Sequence, residues 1–223
     1  IGYSLAVDGT TLVVGARRDS VGDYLSQGSA HVYVLVDGVW TLQAKLIASD
    51  GAFNDQFGTS VAIDGDTVVV GAPSDDVGTV VDQGSAYVFV RSGATWTEQQ
   101  RLSVGGAAAD LFGWSVAVSG DRVLVGAPMD DVGGSANQGT AYSFLRSHGV
   151  WSPEYTFKGD SAGERTGYAV ALSGTVAAVS APTATVNGHT GQGLVRLYAC
   201  VSGAWSPGVP VTAAAGAASD HFG

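Results

Sequence analysis

The chain has 223 residues, 45% of them apolar and 13% charged, and its 33 glycines are about twice the usual share. Ten basic against 20 acidic residues leave a net charge of −10, which argues against nucleic acid or an anionic membrane as partner. No apolar run approaches the ~18–20 residues of a membrane helix, and the one cysteine, Cys200, excludes an internal disulfide or a cysteine-based zinc cluster.

In chain order, the first stretch is Ile1-Gly2-Tyr3-Ser4-Leu5-Ala6, which Asp8-Gly9 turns back into a second apolar run ending at Gly15-Ala16-Arg17. The same phrase returns more fully as Phe57-Gly58-Thr59-Ser60-Val61-Ala62, Asp64-Gly65-Asp66 and Val68-Val69-Val70-Gly71-Ala72-Pro73. A loop with Asp75-Asp76-Val77-Gly78 follows, then Gln83-Gly84 and the run Tyr87-Val88-Phe89-Val90. Ser92-Gly93 then leads to Trp96 and a last alternating stretch near Leu102. The third copy opens with Phe112-Gly113-Trp114-Ser115 and carries Gly126-Ala127-Pro128 and Asp130-Asp131-Val132-Gly133. The fourth opens with Thr166-Gly167-Tyr168-Ala169, and Phe222-Gly223 stands where a fifth would start. Starts at 1, 57, 112, 166 and 222 give spacings of 56, 55, 54 and 56 residues.

Dense Val, Tyr, Phe and Trp between Gly, Asp and Ser predict four short strands per repeat, A to D. Asp8-Gly9, Asp64-Gly65, Ser119-Gly120 and Ser173-Gly174 are tight A–B hairpin signals. No helical period is present, so the fold class is all-β. Sixteen strands in four equal units, apolar on both faces, predict four-stranded antiparallel sheets covered on both sides by their neighbours. Radial stacking does this, and a β-propeller is the expected architecture. A single propeller region then spans 1–223, with blades at about 1–56, 57–111, 112–165 and 166–221. Three closures stay open: four blades closing alone, a homodimer completing an eight-bladed ring on a twofold axis, or a longer chain of which this is a piece.

Phe57-Gly58 with Gly71-Ala72-Pro73, and Phe112-Gly113 with Gly126-Ala127-Pro128, each followed by Gln-Gly, resemble the FG-GAP repeat along the whole chain. The likeness is to the blades of integrin α-subunit headpieces and of bacterial cell-surface proteins. It implies a non-catalytic interaction or adhesion module of a secreted or cell-surface protein, binding proteins and sometimes carbohydrate. Arg17 in place of Pro73, and Thr166 and Ser180 in place of Phe and Gly, depart from the motif. Integrin-like blades carry a calcium loop of Asp-x-Asp/Asn-x-Asp-Gly type between strands A and B, reduced here to Asp64-Gly65-Asp66 or less. Two carboxylates do not supply the six to eight oxygens of a Ca²⁺ site, so that site is expected to be absent, and no metal or other cofactor is expected.

Antiparallel order places the B–C and D–A loops on one face. That face collects Asp19, Asp23, Asp50, Asp55, Asp75, Asp76, Asp82, Asp110, Asp130, Asp131, Asp160, Glu164 and Asp220, 13 of the 20 acidic residues, against Arg17, Arg18, Arg165 and Lys158. Long loops on a rigid scaffold are where binding residues sit; solubility alone also accounts for surface acids. The paired acids, with Asp55, Asp110, Glu164 and Asp220 two residues before each motif, read either as a shared cation site or as turn-forming carboxylates. Recurrence in every blade favours the turns. Candidate ligand-binding residues are Asp19, Asp75, Asp76, Asp130 and Asp131, with Trp114, which stands once where Tyr3, Thr59 and Tyr168 occur elsewhere. The expected partner is a protein, or alternatively a glycan held by aromatics such as Trp114.

Nothing assembles catalysis. Gly58-Thr59-Ser60 has no strand-to-helix turn after it, and His31, His148, His189 and His221 occupy unrelated repeat positions. Trp40, Trp96, Trp151 and Trp205 are expected to pack the blades, and Cys200 to stand as a small strand residue in the place of Val90.

Overall fold

In the computed structural model, which describes residues 1–223, the β-branched runs become strands and no helix forms. The first sheet pairs β1 (Ser4–Asp8), β2 (Thr11–Ala16), β3 (Ser29–Val36) and β4 (Val39–Leu46) in that order. The second pairs β5 (Ser60–Asp64), β6 (Thr67–Ala72), β7 (Ser85–Ser92) and β8 (Thr95–Leu102). The third pairs β9 (Ser115–Ser119), β10 (Arg122–Ala127), β11 (Thr140–Ser147) and β12 (Val150–Lys158). The fourth pairs β13 (Val170–Ser173), β14 (Val176–Ala181) and β15 (Leu194–Val201), and its outer strand comes in two pieces, β16 (Ala204–Trp205) and β17 (Val209–Val211). All pairings are antiparallel. The A–B turns place Gly9, Gly65, Gly120 and Gly174 at φ of 51–57°, the left-handed conformation that tight hairpins need. Sixteen continuous strands were the sequence expectation. Pro207, which lacks an N–H for the ladder, sits where the last one breaks, and Pro210 follows inside the short edge strand β17.

The sheets stack as propeller-like blades around their first strands. Val13, Val32, Phe57, Val70, Tyr87 and Phe89 form the core between blades 1 and 2. Val69, Val88, Phe112, Val125, Phe144 and Trp151 fill the next junction, and Leu124, Phe157, Val179 and Tyr198 the third. The arc is open, with β1 packing on β5, β5 on β9 and β9 on β13, but not β13 on β1. Coverage on both faces therefore holds for the middle blades only. Blade 1 turns Leu5, Val7, Leu42 and Trp40 outward, 66%, 65%, 52% and 43% exposed.

Three repeated words are explained by the junctions. The Gln-Gly word supplies carbonyls: Gln27, Gln83 and Gln138 accept the N–H of Phe57, Phe112 and Thr166, the first residue of the next blade, at 2.9–3.1 Å. Phe222 donates likewise to Gln192 at 2.8 Å. Gly58, Gly113 and Gly167, at φ of 87–92°, then press their carbonyls against Gly15, Gly71 and Gly126, the glycine after the second apolar run of the preceding blade. A Cβ on Gly15, Gly71 or Gly126 would overlap the carbonyl of Gly58, Gly113 or Gly167. The recurrent serine closes the contact, Ser4, Ser60 and Ser115 donating to those carbonyls at 2.9, 2.8 and 2.8 Å. Blade 4 exchanges the pair: Ala169 replaces the serine and Ser180 the glycine, and the Ser180 hydroxyl accepts the Ala169 N–H at 2.8 Å.

One alignment changes. Cys200 pairs with Trp205 as Arg91 pairs with Trp96 and Arg146 with Trp151, so it occupies the position of Arg91 and not of Val90. It is 7% exposed, and Arg122 Nη2 lies 3.7 Å from its sulfur.

Candidate functional site

The B–C loops are small hairpins closed by single bridges, Val21–Tyr24, Val77–Val80, Val132–Ser135 and Val186–His189. Their acids hold backbone. Asp76 Oδ1 accepts the N–H of Asp82 at 2.9 Å, and Asp131 Oδ1 that of Asn137 at 2.7 Å. Asp82 and Asn137 have φ of 51° and 49°, a conformation that short polar residues tolerate. The acids ahead of each repeat close the D–A loops: Asp55 accepts from Ala52, Asp110 from Ala107, Glu164 from Asp160 and Asp220 from Ala217. No three His, Cys, Asp or Glu side chains come together in a way that could share an ion. The A–B acids are engaged too, Asp8 accepting the N–H of Gly65 and Asp64 that of Gly120 across successive blades.

Beneath the loops each blade has a polar seat. In blade 2, Asp75 accepts from the Tyr87 hydroxyl at 3.1 Å and from Arg101 Nη2 at 2.5 Å. Asp50, from the loop of blade 1, accepts from the same Tyr87 at 2.8 Å and from Arg101 Nη1 at 2.6 Å. Blade 1 builds the seat from Asp19, Ser29, His31 and Lys45. In blade 3, Tyr142 donates to Asp130 at 2.6 Å, and Thr156 pairs with Tyr142 as Arg101 pairs with Tyr87, so no cation faces the acid. Blade 4 puts Arg196 at the tyrosine position, with Nη2 on Asp160 and Glu164.

The electrostatics follow. Burial pushes the Asp55 carboxyl up to about 6, with Asp75, Asp76 and Asp50 adding to it. Burial does the same to Asp110, up to about 6, with Asp130 and Asp131 behind it. Asp75 is also raised, burial outweighing the hydrogen bonds and the charge of Arg101. Burial also opposes the charge on Asp19, but hydrogen bonds from Lys45 and Ser29 hold it below its usual range.

The candidates separate accordingly. Asp76 and Asp131 are exposed, Asp19 and Asp130 half-buried, and Asp75 only 4% exposed. Each serves the loop or seat of its own blade, and no hydrogen bond joins candidates of different blades. Trp114 is half-buried, its ring tilted 47° at 5.6 Å from Tyr168 of the next blade. Sequence reasoning placed Asp50 only among the loop-face acids and missed the roles of Tyr87, Arg101 and Arg196. Polar residues His31, Tyr87, Tyr142 and Arg196, at one fixed position in otherwise apolar third strands, were the available signal.

Residues 40–89 and 96–144 match the FG-GAP repeat. The chain carries FG-GAP repeats. Each matched window runs from the outer strand of one blade through the third strand of the next, so it carries the Phe-Gly, serine and Gly-Ala-Pro words of one blade, whose contact partners lie in the blades on either side. No curated protein matches the sequence. FG-GAP repeats are typically adhesion or protein-interaction modules, generally without enzymatic activity, and are common in extracellular proteins. No helix here is long and apolar enough to cross a membrane.

Proposed function

We propose that this protein is a non-catalytic interaction module of a secreted or cell-surface protein that docks a protein partner on its B–C/D–A loop face. The observation that carries the reading is the set of exposed carboxylates Asp23, Asp76 and Asp131, on B–C loops that Asp76 and Asp131 themselves hold through one oxygen to the backbone. A pre-organised acidic surface suits a basic partner surface, steers its approach and makes binding fall with salt. Asp75 belongs to the support, since it is buried against Arg101.

The test is capture of a panel of extracellular proteins by the chain and by the triple variant Asp23→Asn, Asp76→Asn, Asp131→Asn. Asparagine keeps the side-chain acceptors that Asp82 and Asn137 use, so the loops stay formed while the charge goes. The expected result is loss of a partner that also dissociates at high salt. Equal capture by both proteins overturns the face assignment.

A further inference from the structure

The broken outer strand of blade 4 has a second consequence. The indole bridge between outer strands, Trp96 Nε1 to Gln43 and Trp151 Nε1 to Gln99, each at 2.8 Å, recurs between blades 3 and 4 as Trp205 Nε1 to Glu154 at 3.3 Å; the strand breaks just past it. Between blades 3 and 4, Ser206-Pro207-Gly208 loops out and leaves a cavity of about 580 Å³, a size within the range of small-molecule sites. One wall is aromatic. Phe157 meets the rings of Tyr155, Tyr198 and Trp205 edge-on at 4.9, 4.6 and 5.1 Å, and Tyr155 keeps 41% of its surface exposed. Gly208 lies so close on the Tyr198 ring that a Cβ would reach it at 2.7 Å.

The other wall is polar. Lys158 and Asp160 are exposed beside it. Arg196, 6% exposed, lines the cavity with Nη2 on Asp160 and Glu164, while its buried Nη1 has no acceptor. Buried side-chain donors are nearly always paired, so this one points to an acceptor supplied from outside the chain. Two cations and two carboxylates leave the locality balanced, which gives no advantage to an anion. A purely apolar occupant would strip water from Lys158 and Asp160 without replacing it. A ring with apolar C–H faces and a rim of hydroxyls that both donate and accept satisfies both walls.

We propose that this cavity binds a neutral pyranose, one sugar unit of a glycan, with its ring carbons on Tyr155 and its hydroxyls on Arg196, Lys158 and Asp160. The site is independent of the acidic-face reading and stands or falls separately. Saturation-transfer NMR of the whole chain with the methyl glycosides of glucose, galactose, mannose and N-acetylglucosamine tests it. At least one sugar should show transfer concentrated on ring protons. Tyr155→Ala should weaken that sugar by roughly tenfold, the scale of one lost aromatic contact, while Trp114→Ala leaves it unchanged. Lys158→Ala, which removes an exposed side chain, should weaken binding too and keeps the test decisive if Tyr155→Ala misfolds. No transfer from any of the four, binding that survives both cavity variants, or, with methyl glucuronide added as an anionic control, transfer to that sugar alone would each overturn the proposal.

Discussion

Gly71→Ala should be among the most damaging single-methyl additions this chain can receive. Gly71 lies in β6 outside the left-handed region, so alanine fits its backbone. The obstacle is the neighbour, because the added Cβ would overlap the Gly113 carbonyl and crowd Ser60 Oγ. A backbone carbonyl cannot rotate away as a side-chain tip can. Overpacking of this kind costs about 1–3 kcal/mol, and losing the Ser60–Gly113 hydrogen bond adds ~1 kcal/mol. Separation of the blades also loosens the core of Val69, Val88, Phe112 and Val125, so the expected loss is about 3–4 kcal/mol. For a chain of this length that is a fall in Tm of roughly 6–16 °C. Gly105→Ala is the control: Gly105 has no positive φ and nothing within 4 Å of its Cβ, so its stability should stay within about 0.5 kcal/mol of the parent. Because stacked repeats couple mainly to their neighbours, amide exchange should quicken across the blade 2–3 junction and not across 1–2. A Tm within two degrees of the parent, or equal damage from Gly105→Ala, would refute the carbonyl–glycine contact as the spacer.

Two further outcomes concern charge. The raised carboxyls of Asp55 and Asp110, about 6 against an ordinary 3.8, favour the folded state fully below pH ~4, and that contribution is lost as pH rises through 6. Asp55→Asn keeps the acceptor for Ala52 but removes the charge, so it should stabilise the chain at pH 7 by up to about 3 kcal/mol and by progressively less towards pH 4. Melting curves across that range check this, and a pH-independent difference would sink it. Calcium at 1 mM against EDTA should leave Tm unchanged within about a degree, since a 10 μM site would add about 2.7 kcal/mol and the A–B acids are already accepting backbone N–H groups. A shift of several degrees, abolished by Asp76→Asn with Asp131→Asn, would place an ion in the B–C loops instead.

The blades and their order were legible because hairpin glycines, apolar alternation and the fixed spacing all point one way. The open arc was not, since each repeat carries two apolar faces whether or not a neighbour covers them; Leu5 and Val61 sit at equivalent positions, and one is exposed and the other buried. The recurrence of the acids predicted turn carboxylates, and Asp55, Asp76, Asp110 and Asp131 hold backbone N–H groups. Burial divided Asp75 from Asp76, adjacent in sequence and on opposite sides of the loop surface. Arg101 could not be found by repetition, because Thr156 stands in its place one blade on. Cys200 was misplaced by one position, because blade 4 puts Arg196 and Tyr198 where Tyr87 and Phe89 stand and only the pairing with Trp205 fixes the count.

The glycine-to-carbonyl contact at each junction is made by main chain on both sides, so the step from blade to blade does not depend on which side chains fill the core between them. Blades joined this way are interchangeable links. A duplicated copy of blade 2 inserted before blade 3 would find the carbonyl, the glycine and the serine it needs on either side, and the arc would lengthen by one step without redesign. The link after blade 4 differs: its hydroxyl has crossed from β13 to β14 and brought a Cβ with it. A copied blade seated there would meet the Cβ of Ser180 where the other junctions present a glycine.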